Sequence, residues 1–244
     1  MEGVTAGSRR GVEVLIDGRQ HEMIEIRQLT KSFTKNGARI EVLKGIDCSI
    51  ARGKSLGILG ASGTGKTTLL QILGALDHPT SGQVLFDGAD IFGWGERRRA
   101  EFRNKRIGFV FQFHCLLSEF TAIENTIMPA LINGMSREDA RKKGEIVLTE
   151  VGLGGRLAHK PGELSGGEQQ RVAIARAIVM NPDVILADEP TGNLDAKTGG
   201  RIQDLLLDLG RAAGTTLIVV THNTLLADSM SHTINLKDGK IYDL

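Results

Sequence analysis

Aromatic residues, excess charge and long apolar runs are all scarce in this sequence. Phe, Trp and Tyr make up 4% of the 244 residues, which disfavours a protein that works mainly by stacking on nucleic-acid bases. The 30 Lys and Arg residues are balanced by 29 Asp and Glu residues, so bulk basicity does not favour nucleic-acid binding. No apolar run reaches the roughly 18 residues that a membrane-spanning helix needs. We therefore predict an ordinary soluble chain with no nucleic-acid partner.

Cysteine is also scarce, and the N-terminal residues lack the pattern of an export signal. Cys48 and Cys115 show neither metal-ligand spacing nor a disulfide framework, so we expect two reduced thiols in a cytosolic protein. Arg9 and Arg10 resemble a twin-arginine pair, but charged residues follow where an export signal needs an apolar stretch. Residues 1–21 show no clear period and are predicted to form a disordered tail.

Glycine, by contrast, is abundant, with 31 residues and no collagen-like period. One glycine-rich loop fits the pattern G-x-x-x-x-G-K-[ST] at every fixed position, between an apolar run and a helical pattern. In such a loop the backbone N–H groups surround phosphate oxygens, the lysine reaches the β- and γ-phosphates, and the hydroxyl can ligate Mg²⁺. The predicted phosphate-binding residues are Gly60, Ala61, Ser62, Gly63, Thr64, Gly65, Lys66, Thr67 and Thr68.

Strand and helix patterns alternate along the chain and predict a mainly parallel α/β sheet. Strands are predicted at residues 23–27, 40–43, 46–50, 184–187 and 217–221, and helices at 67–76 and 200–213. Residues 97–180 have a helical pattern, with capping signals at Thr121 and Ser136. Asp238 and Gly239 separate two short strands and predict a hairpin.

Two acids follow the apolar run at residues 184–187. A buried strand end would hold Asp188 rigidly on the metal side of a nucleotide, and Glu189 could orient or deprotonate the attacking water. Acids at strand ends are common, but the preceding phosphate loop makes this pair a strong indication of nucleotide hydrolysis.

The segment Leu-Ser-Gly-Gly-Glu-Gln at residues 164–169 reveals a family resemblance. Its Ser and Glu form a capping box, yet two glycines in a first helical turn suggest a close approach to the backbone. The segment matches the signature of ATP-binding-cassette (ABC) ATPases, in which this helix end contacts the γ-phosphate held by the opposite subunit. The resemblance implies that the second copy supplies Ser165, Gly166, Gly167 and Glu168.

The other motifs of that family follow in order. Phe33 matches the aromatic residue that stacks on adenine, and Gln112 matches the loop glutamine that senses Mg²⁺. Asp195 matches the loop that crosses the dimer interface, and His222 matches the switch histidine on the γ-phosphate. Asn223 stands where many relatives have Asp. The resemblance thus implies ATP and Mg²⁺ as ligands.

Finer matches at residues 111–125 resemble the ATPase of bacterial lipoprotein-releasing transporters. The motif at residues 187–195 is shared with the ATPases of macrolide-export pumps and of cell-division complexes. These two functions remain alternatives to lipoprotein release. The resemblance implies a peripheral protein on the cytoplasmic face of the inner membrane, with membrane subunits docked near residues 113–120. For Phe113, Leu116, Leu117 and Phe120, core packing is an equally good interpretation of the pattern.

The family resemblance implies a P-loop NTPase core with an antiparallel β subdomain and an inserted helical subdomain. We expect one nucleotide-binding domain at residues 22–244, with the helical subdomain at about 98–176. The spacing between Lys66 and Ser165 leaves no room for the long coiled coil of chromosome-structure ATPases. A translation-associated ATPase of this family would carry two cassettes in one chain, whereas this sequence shows one. A GTPase is not supported either, because residues 104–107 lack the Asp that recognises guanine.

Overall fold

The computed structural model describes residues 14–15 and 22–243, which form two sheets and seven α-helices. The helices are α1 (Lys66–Leu73), α2 (Glu96–Arg106), α3 (Ala122–Ile132), α4 (Arg137–Glu150), α5 (Gly166–Ile178), α6 (Ala196–Ala213) and α7 (Thr224–Asp228). The strands are β1 (Val14–Leu15), β2 (Glu22–Lys35), β3 (Ala38–Ala51), β4 (Ser55–Leu59), β5 (Ser81–Phe86), β6 (Ala89–Asp90), β7 (Ile107–Val110), β8 (Val184–Asp188), β9 (Thr216–Thr221), β10 (His232–Lys237) and β11 (Lys240–Asp243).

The larger sheet has the strand order β11-β10-β4-β9-β8-β7 and is parallel except for β11. Successive residues of its central strands face two different cores: Ile218 and Val220 pack into one, and Leu217 and Val219 into the other. Burial on both faces explains why these strands are continuous apolar runs. The predicted parallel α/β architecture is confirmed, and its strand ends converge on one edge.

The smaller sheet has the order β1-β3-β2-β5-β6, and only the β1–β3 pair is parallel. Asn36 and Gly37 both have positive φ, which suits the tight turn between β2 and β3. Of the predicted tail, the structure describes Val14 and Leu15, whose backbone pairs with β3; the other residues of 1–21 lie outside the described part. The predicted strands near the N-terminus are confirmed, although two of them merge into β3.

Three predicted boundaries were wrong. Residues 107–110 lie in the stretch expected to be helical, but they form β7 and pair with β8. The first helix ends at Leu73 instead of residue 76, because the backbone turns into the left-handed region at Ala75, where φ is 54°. The later helix begins at Ala196 rather than at residue 200.

Helices α3, α4 and α5 pack on one another around the second core. Thr121 caps α3 in a reciprocal box with Glu124, and the Ser136 side chain accepts from the Asp139 N–H at the start of α4. Both capping predictions are therefore confirmed. The predicted hairpin at Asp238 is confirmed as well, because β10 and β11 pair antiparallel across it.

A cluster of four charged side chains joins the two sheets. Asp87, in the β5–β6 turn, accepts from Arg52 at 2.5 Å and from Arg106 at 2.8 Å. Both arginines also pair with Asp183, immediately before β8. Arg106 ends α2, so the cluster fixes the smaller sheet against the helix and strand that lead to the site.

No helix among the described residues is both long and apolar enough to cross a bilayer.

Candidate nucleotide site

A cavity of about 500 Å³ opens where the carboxyl ends of β4, β8 and β9 meet. In parallel sheets this edge is the usual place for ligands. Eleven residues from five separate stretches line the cavity. They are Val42, Ser62, Gly63, Gly65, Lys66, Thr67, Thr68, Gln112, Asp188, Glu189 and His222.

The loop between β4 and α1 is wound into a cradle. Gly63 and Gly65 have φ values of 80° and 103°, a conformation that side chains disfavour. Gly60 is held against β10, since a Cβ there would lie 2.5 Å from the Leu236 carbonyl oxygen. Lys66 begins α1, and its Nζ donates to the carbonyl oxygens of Gly60 at 2.8 Å and Ala61 at 3.0 Å. The ammonium group is thus folded over the loop that would hold an anion at the helix N-terminus.

Thr64 supports the same loop from outside the cavity lining, because its hydroxyl donates to the Ala61 carbonyl oxygen at 3.0 Å. Thr67 and Thr68 follow Lys66 in the first turn of α1 and face the cavity.

Asp188 is the last residue of β8 and lies opposite the first turn of α1. Burial raises the pKa of its carboxyl group, and the nearby charge of Glu189 acts in the same direction. A hydrogen bond from the Thr67 side chain and the charge of Lys66 oppose that rise. A half-buried carboxylate beside a hydroxyl and an ammonium group suits a site that receives a cation together with phosphate.

Glu189 is held by two neighbours from the end of β9. Its Oε2 accepts from the Thr221 hydroxyl at 3.0 Å, and its Oε1 lies 2.8 Å from His222 Nδ1. The Glu189 side chain is 13% exposed, whereas the His222 side chain is 69% exposed. Glu189 also has φ 45°, which turns the chain sharply after Asp188. These two contacts and the turn fix the orientation of the carboxylate.

Gln112 reaches the cavity from the loop after β7. Its side chain donates to Asn193 Oδ1 at 3.2 Å, and Asn193 Nδ2 donates back to the Gln112 carbonyl oxygen at 3.0 Å. Two loops that the sequence separates by 81 residues are thereby joined beside Asp188 and Glu189.

The segment at residues 165–168 lies outside this cavity. Ser165 caps α5, and Glu168 Oε2 accepts from the Ser165 N–H at 2.9 Å and from its hydroxyl at 2.8 Å. These hydrogen bonds hold the pKa of Glu168 below its usual value. A Cβ on Gly167 would lie 2.6 Å from Thr198 Cγ2, so the close neighbour of this glycine is a side chain of α6. Gly166 has only ordinary contact with Leu194.

Asp195 and Phe33 also lie outside the cavity lining. The Asp195 carboxylate caps α6 by accepting from the Lys197 and Thr198 N–H groups. Its hydrogen bonds with Thr198 lower the pKa of Asp195. Phe33, on β2, is 43% exposed, and the Lys31 ammonium lies 4.8 Å from its ring centroid.

Comparison with known proteins identifies the family. Residues 43–192, more than half of the chain, match the family described as ABC transporter. The chain belongs to the ABC transporter family. The lipoprotein-releasing system ATP-binding protein LolD of Syntrophus aciditrophicus is 63% identical over 219 residues, which cover 90% of this chain and 98% of that protein. LolD of Geobacter metallireducens is 55% identical over 90% of this chain and 97% of its own length.

Solved structures agree with the fold of an ABC ATPase. The dimeric structure of MJ0796, described as a bacterial ABC transporter cassette, has a TM-score of 0.84 and 41% identity. A second dimeric structure of MJ0796, in a post-hydrolysis state with ADP and Pi bound, has a TM-score of 0.83 and 40% identity. Each match covers 91% of this chain and 99% of the other. The present chain is an ABC-type ATP hydrolase.

A hydrophobic surface lies on the loop that follows Gln112 in this ABC ATPase. Phe113, Leu117 and Phe120 are 72%, 47% and 38% exposed, whereas Leu116 packs against the helical core. Core packing therefore explains only Leu116. We call the three exposed side chains the loop surface.

The loop surface has a rigid support. The buried Asn125 accepts from the Leu117 N–H and donates to the carbonyl oxygens of Leu117 and Phe120. Arg176, from α5, donates to the carbonyl oxygens of His114 and Cys115. Beside the loop, a groove of about 430 Å³ runs between α2 and α3. These bonds keep large apolar side chains at the surface when burial would otherwise favour turning them inward.

Three residues of the site were not predicted from the sequence. Val42 lines the cavity from β3, Thr221 orients Glu189, and Asn193 binds Gln112. Thr221 and Asn193 lie next to predicted motif residues, but only their partners in space reveal what their side chains do.

Proposed function

We propose that this chain is the ATPase subunit of a lipoprotein-releasing transporter, peripheral to the cytoplasmic face of the bacterial inner membrane. The observation that carries the proposal is the cavity that combines Lys66, Asp188, Glu189 and His222 in a chain 63% identical to LolD. The macrolide-export and cell-division alternatives rest only on the shared motif at residues 187–195.

The cavity residues have distinct roles in ATP hydrolysis under this proposal. Lys66 exchanges its two loop carbonyl partners for the β- and γ-phosphate oxygens. Glu189, fixed by Thr221 and His222, accepts the proton of the attacking water. His222 contacts the γ-phosphate through the exposed side of its ring. The phosphate loop then neutralises charge with backbone N–H groups that are already in place.

The residues present fit Mg²⁺ as the accompanying ion. Thr67, Gln112 and Asp188 offer oxygen atoms, which are the ligands that Mg²⁺ prefers. The described residues contain no cluster of three or more His, Cys, Asp or Glu side chains suited to a metal. A site with so few protein ligands is typical of Mg²⁺ bound with a nucleotide, which contributes phosphate oxygens. The ion would neutralise phosphate charge when bound.

We propose that a second copy completes each site head to tail. Ser165, Gly166, Gly167 and Glu168 lie outside their own cavity and present the N-terminus of α5, a suitable end for an anion. Asp195 lies in the loop that would cross the interface, and Phe33 would stack on adenine. Both MJ0796 structures are dimeric, which supports the association of two copies.

We also propose that the loop surface and adjacent groove bind a cytoplasmic helix of a membrane subunit. Large exposed aromatic and aliphatic side chains next to a groove are the usual anchors for an amphipathic helix. The conformational change on closure of the dimer around ATP would be transmitted to the membrane subunit through Gln112, which immediately precedes the loop surface.

Replacing the cellular copy with Lys66→Ala tests the proposal. Lipoproteins destined for the outer membrane should then accumulate in the inner-membrane fraction, because the phosphate loop no longer holds ATP. Lys142→Ala serves as a control, since Lys142 is exposed on α4 and, among the described residues, pairs with Glu138. Normal lipoprotein sorting with lost macrolide resistance or defective division would contradict lipoprotein release and favour the corresponding alternative.

A further inference from the structure

Asn193 and Gln112 form a reciprocal pair that the ATPase motifs do not explain. Each residue donates one hydrogen bond to the other: Gln112 Nε2 to Asn193 Oδ1 at 3.2 Å, and Asn193 Nδ2 to the Gln112 carbonyl oxygen at 3.0 Å. The two residues belong to different loops, one after β7 and one after β8.

The pair fixes which atom of Gln112 remains available. A backbone carbonyl oxygen can only accept, so Asn193 must turn its NH₂ group toward the Gln112 backbone. Asn193 Oδ1 then faces the Gln112 side chain, whose NH₂ group is its donor among the described residues. No described residue donates to Gln112 Oε1, and this side chain lines the cavity. The atom left free is therefore the oxygen, which is the one that can bind a cation.

The bases of the two loops are held together independently. Gln170, 1% exposed on α5, donates to the Pro190 carbonyl oxygen at 2.8 Å and to the Phe111 carbonyl oxygen at 3.4 Å. A Cβ on Gly192 would lie 3.0 Å from Gln112 Nε2, so this glycine makes room for the amide. Removing the Asn193 side chain should therefore free the Gln112 side chain without separating the loops.

We propose that Asn193 is a positioning residue that directs Gln112 Oε1 into the nucleotide cavity as a ligand for the Mg²⁺ of MgATP. The inference rests on the proposed role of Gln112 as a metal ligand. Without Asn193, the Gln112 amide can rotate and present its NH₂ group, which repels a cation. Loss of a residue that orients a metal ligand commonly weakens metal affinity by roughly 10- to 100-fold.

The test measures nucleotide affinity with and without the metal. The full chain is titrated calorimetrically with the non-hydrolysable analogue AMP-PNP, once with Mg²⁺ and once with EDTA, and the ratio of the two affinities reports the metal's contribution. Asn193→Ala should lower this ratio about tenfold and leave the affinity in EDTA unchanged. Asn193→Asp should also lower it, because a carboxylate cannot donate to the Gln112 carbonyl oxygen. Asn133→Ala, at the exposed end of α3, should change neither affinity.

Double substitution separates this role from a contact across the dimer interface. If Asn193 acts through Gln112, then Asn193→Ala should lower the ratio no further in a Gln112→Ala background. An unchanged ratio in Asn193→Ala, or an additive loss in the double variant, would overturn the inference. An unchanged ratio in Gln112→Ala alone would instead refute the proposed ligand role of Gln112, on which the inference rests.

Discussion

Substitution of Phe113 by Asp should break assembly with the membrane subunit while leaving the fold nearly intact. A Phe side chain presents about 200 Å² of apolar surface, so at 72% exposure about 140 Å² is available to a partner. At about 25 cal/mol per Å², its burial is worth about 3.5 kcal/mol, or a several-hundred-fold change in Kd. The part already covered stabilises the fold by less than about 1.5 kcal/mol.

Two measurements on the same variant check this prediction. Thermal unfolding of purified Phe113→Asp should show a small fall in Tm, and ATP binding should survive because Lys66 and Asp188 lie elsewhere. Affinity purification of the tagged chain from detergent-solubilised membranes should lose the membrane partner. Ile146→Asp is the matched control, since Ile146 is 61% exposed on α4, outside the loop surface, and its replacement should preserve partner binding. Intact folding with intact partner binding in Phe113→Asp would refute the docking surface.

Three further predictions concern the cavity and the fold. Glu189→Gln should keep ATP binding and lower turnover by roughly 10²- to 10⁴-fold, because the amide is a poor base; near-normal steady-state hydrolysis would contradict this. Thr221→Val should lower kcat about tenfold at unchanged KM, with rescue by Thr221→Ser, since serine keeps the hydroxyl that donates to Glu189; failure of the serine variant to rescue would point to packing instead. Burial raises the pKa of Asp87, but hydrogen bonds from Arg106 and Arg52 outweigh it and leave the pKa lowered, so its stabilisation exists above about pH 4 and is lost as pH falls further. Asp87→Asn should therefore lower Tm at pH 7, and the difference from the unsubstituted chain should shrink on acidification; a difference independent of pH would contradict the charge cluster.

The phosphate loop and the acidic strand end could be predicted because their chemistry requires fixed residue types at fixed spacing. Gly65, Lys66 and Thr67 can be identified one by one, and the apolar run before Asp188 marks a buried strand. Their positions in the cavity agree with the expected arrangement, although their roles in hydrolysis remain predictions.

Strand β7 could not be predicted, because four residues are too few for a period to separate strand from helix. The position of β7 depends on its close packing against α5, since a Cβ on Gly108 would lie 2.5 Å from the Ala177 carbonyl oxygen. Similarly, the two glycines before Glu168 predicted a close approach to the backbone, but the sequence could not show that Thr198 of the same chain approaches Gly167 or that Gly166 has only ordinary contact. Side-chain pairs such as Thr221 with Glu189 depend on tertiary structure and have no local signal.

We propose that each ATP site is completed by the helix end of a second copy. The most direct test is the mass of the Glu189→Gln variant in solution, measured by light scattering with and without saturating ATP and Mg²⁺. We predict a monomer without nucleotide and a doubled mass with it, because nucleotide binding and association are linked. Adding Ser165→Arg should abolish the doubling without weakening ATP binding to the monomer. A Glu189→Gln chain that binds ATP fully and stays monomeric, even with its membrane partner's docking segment present, would contradict the claim.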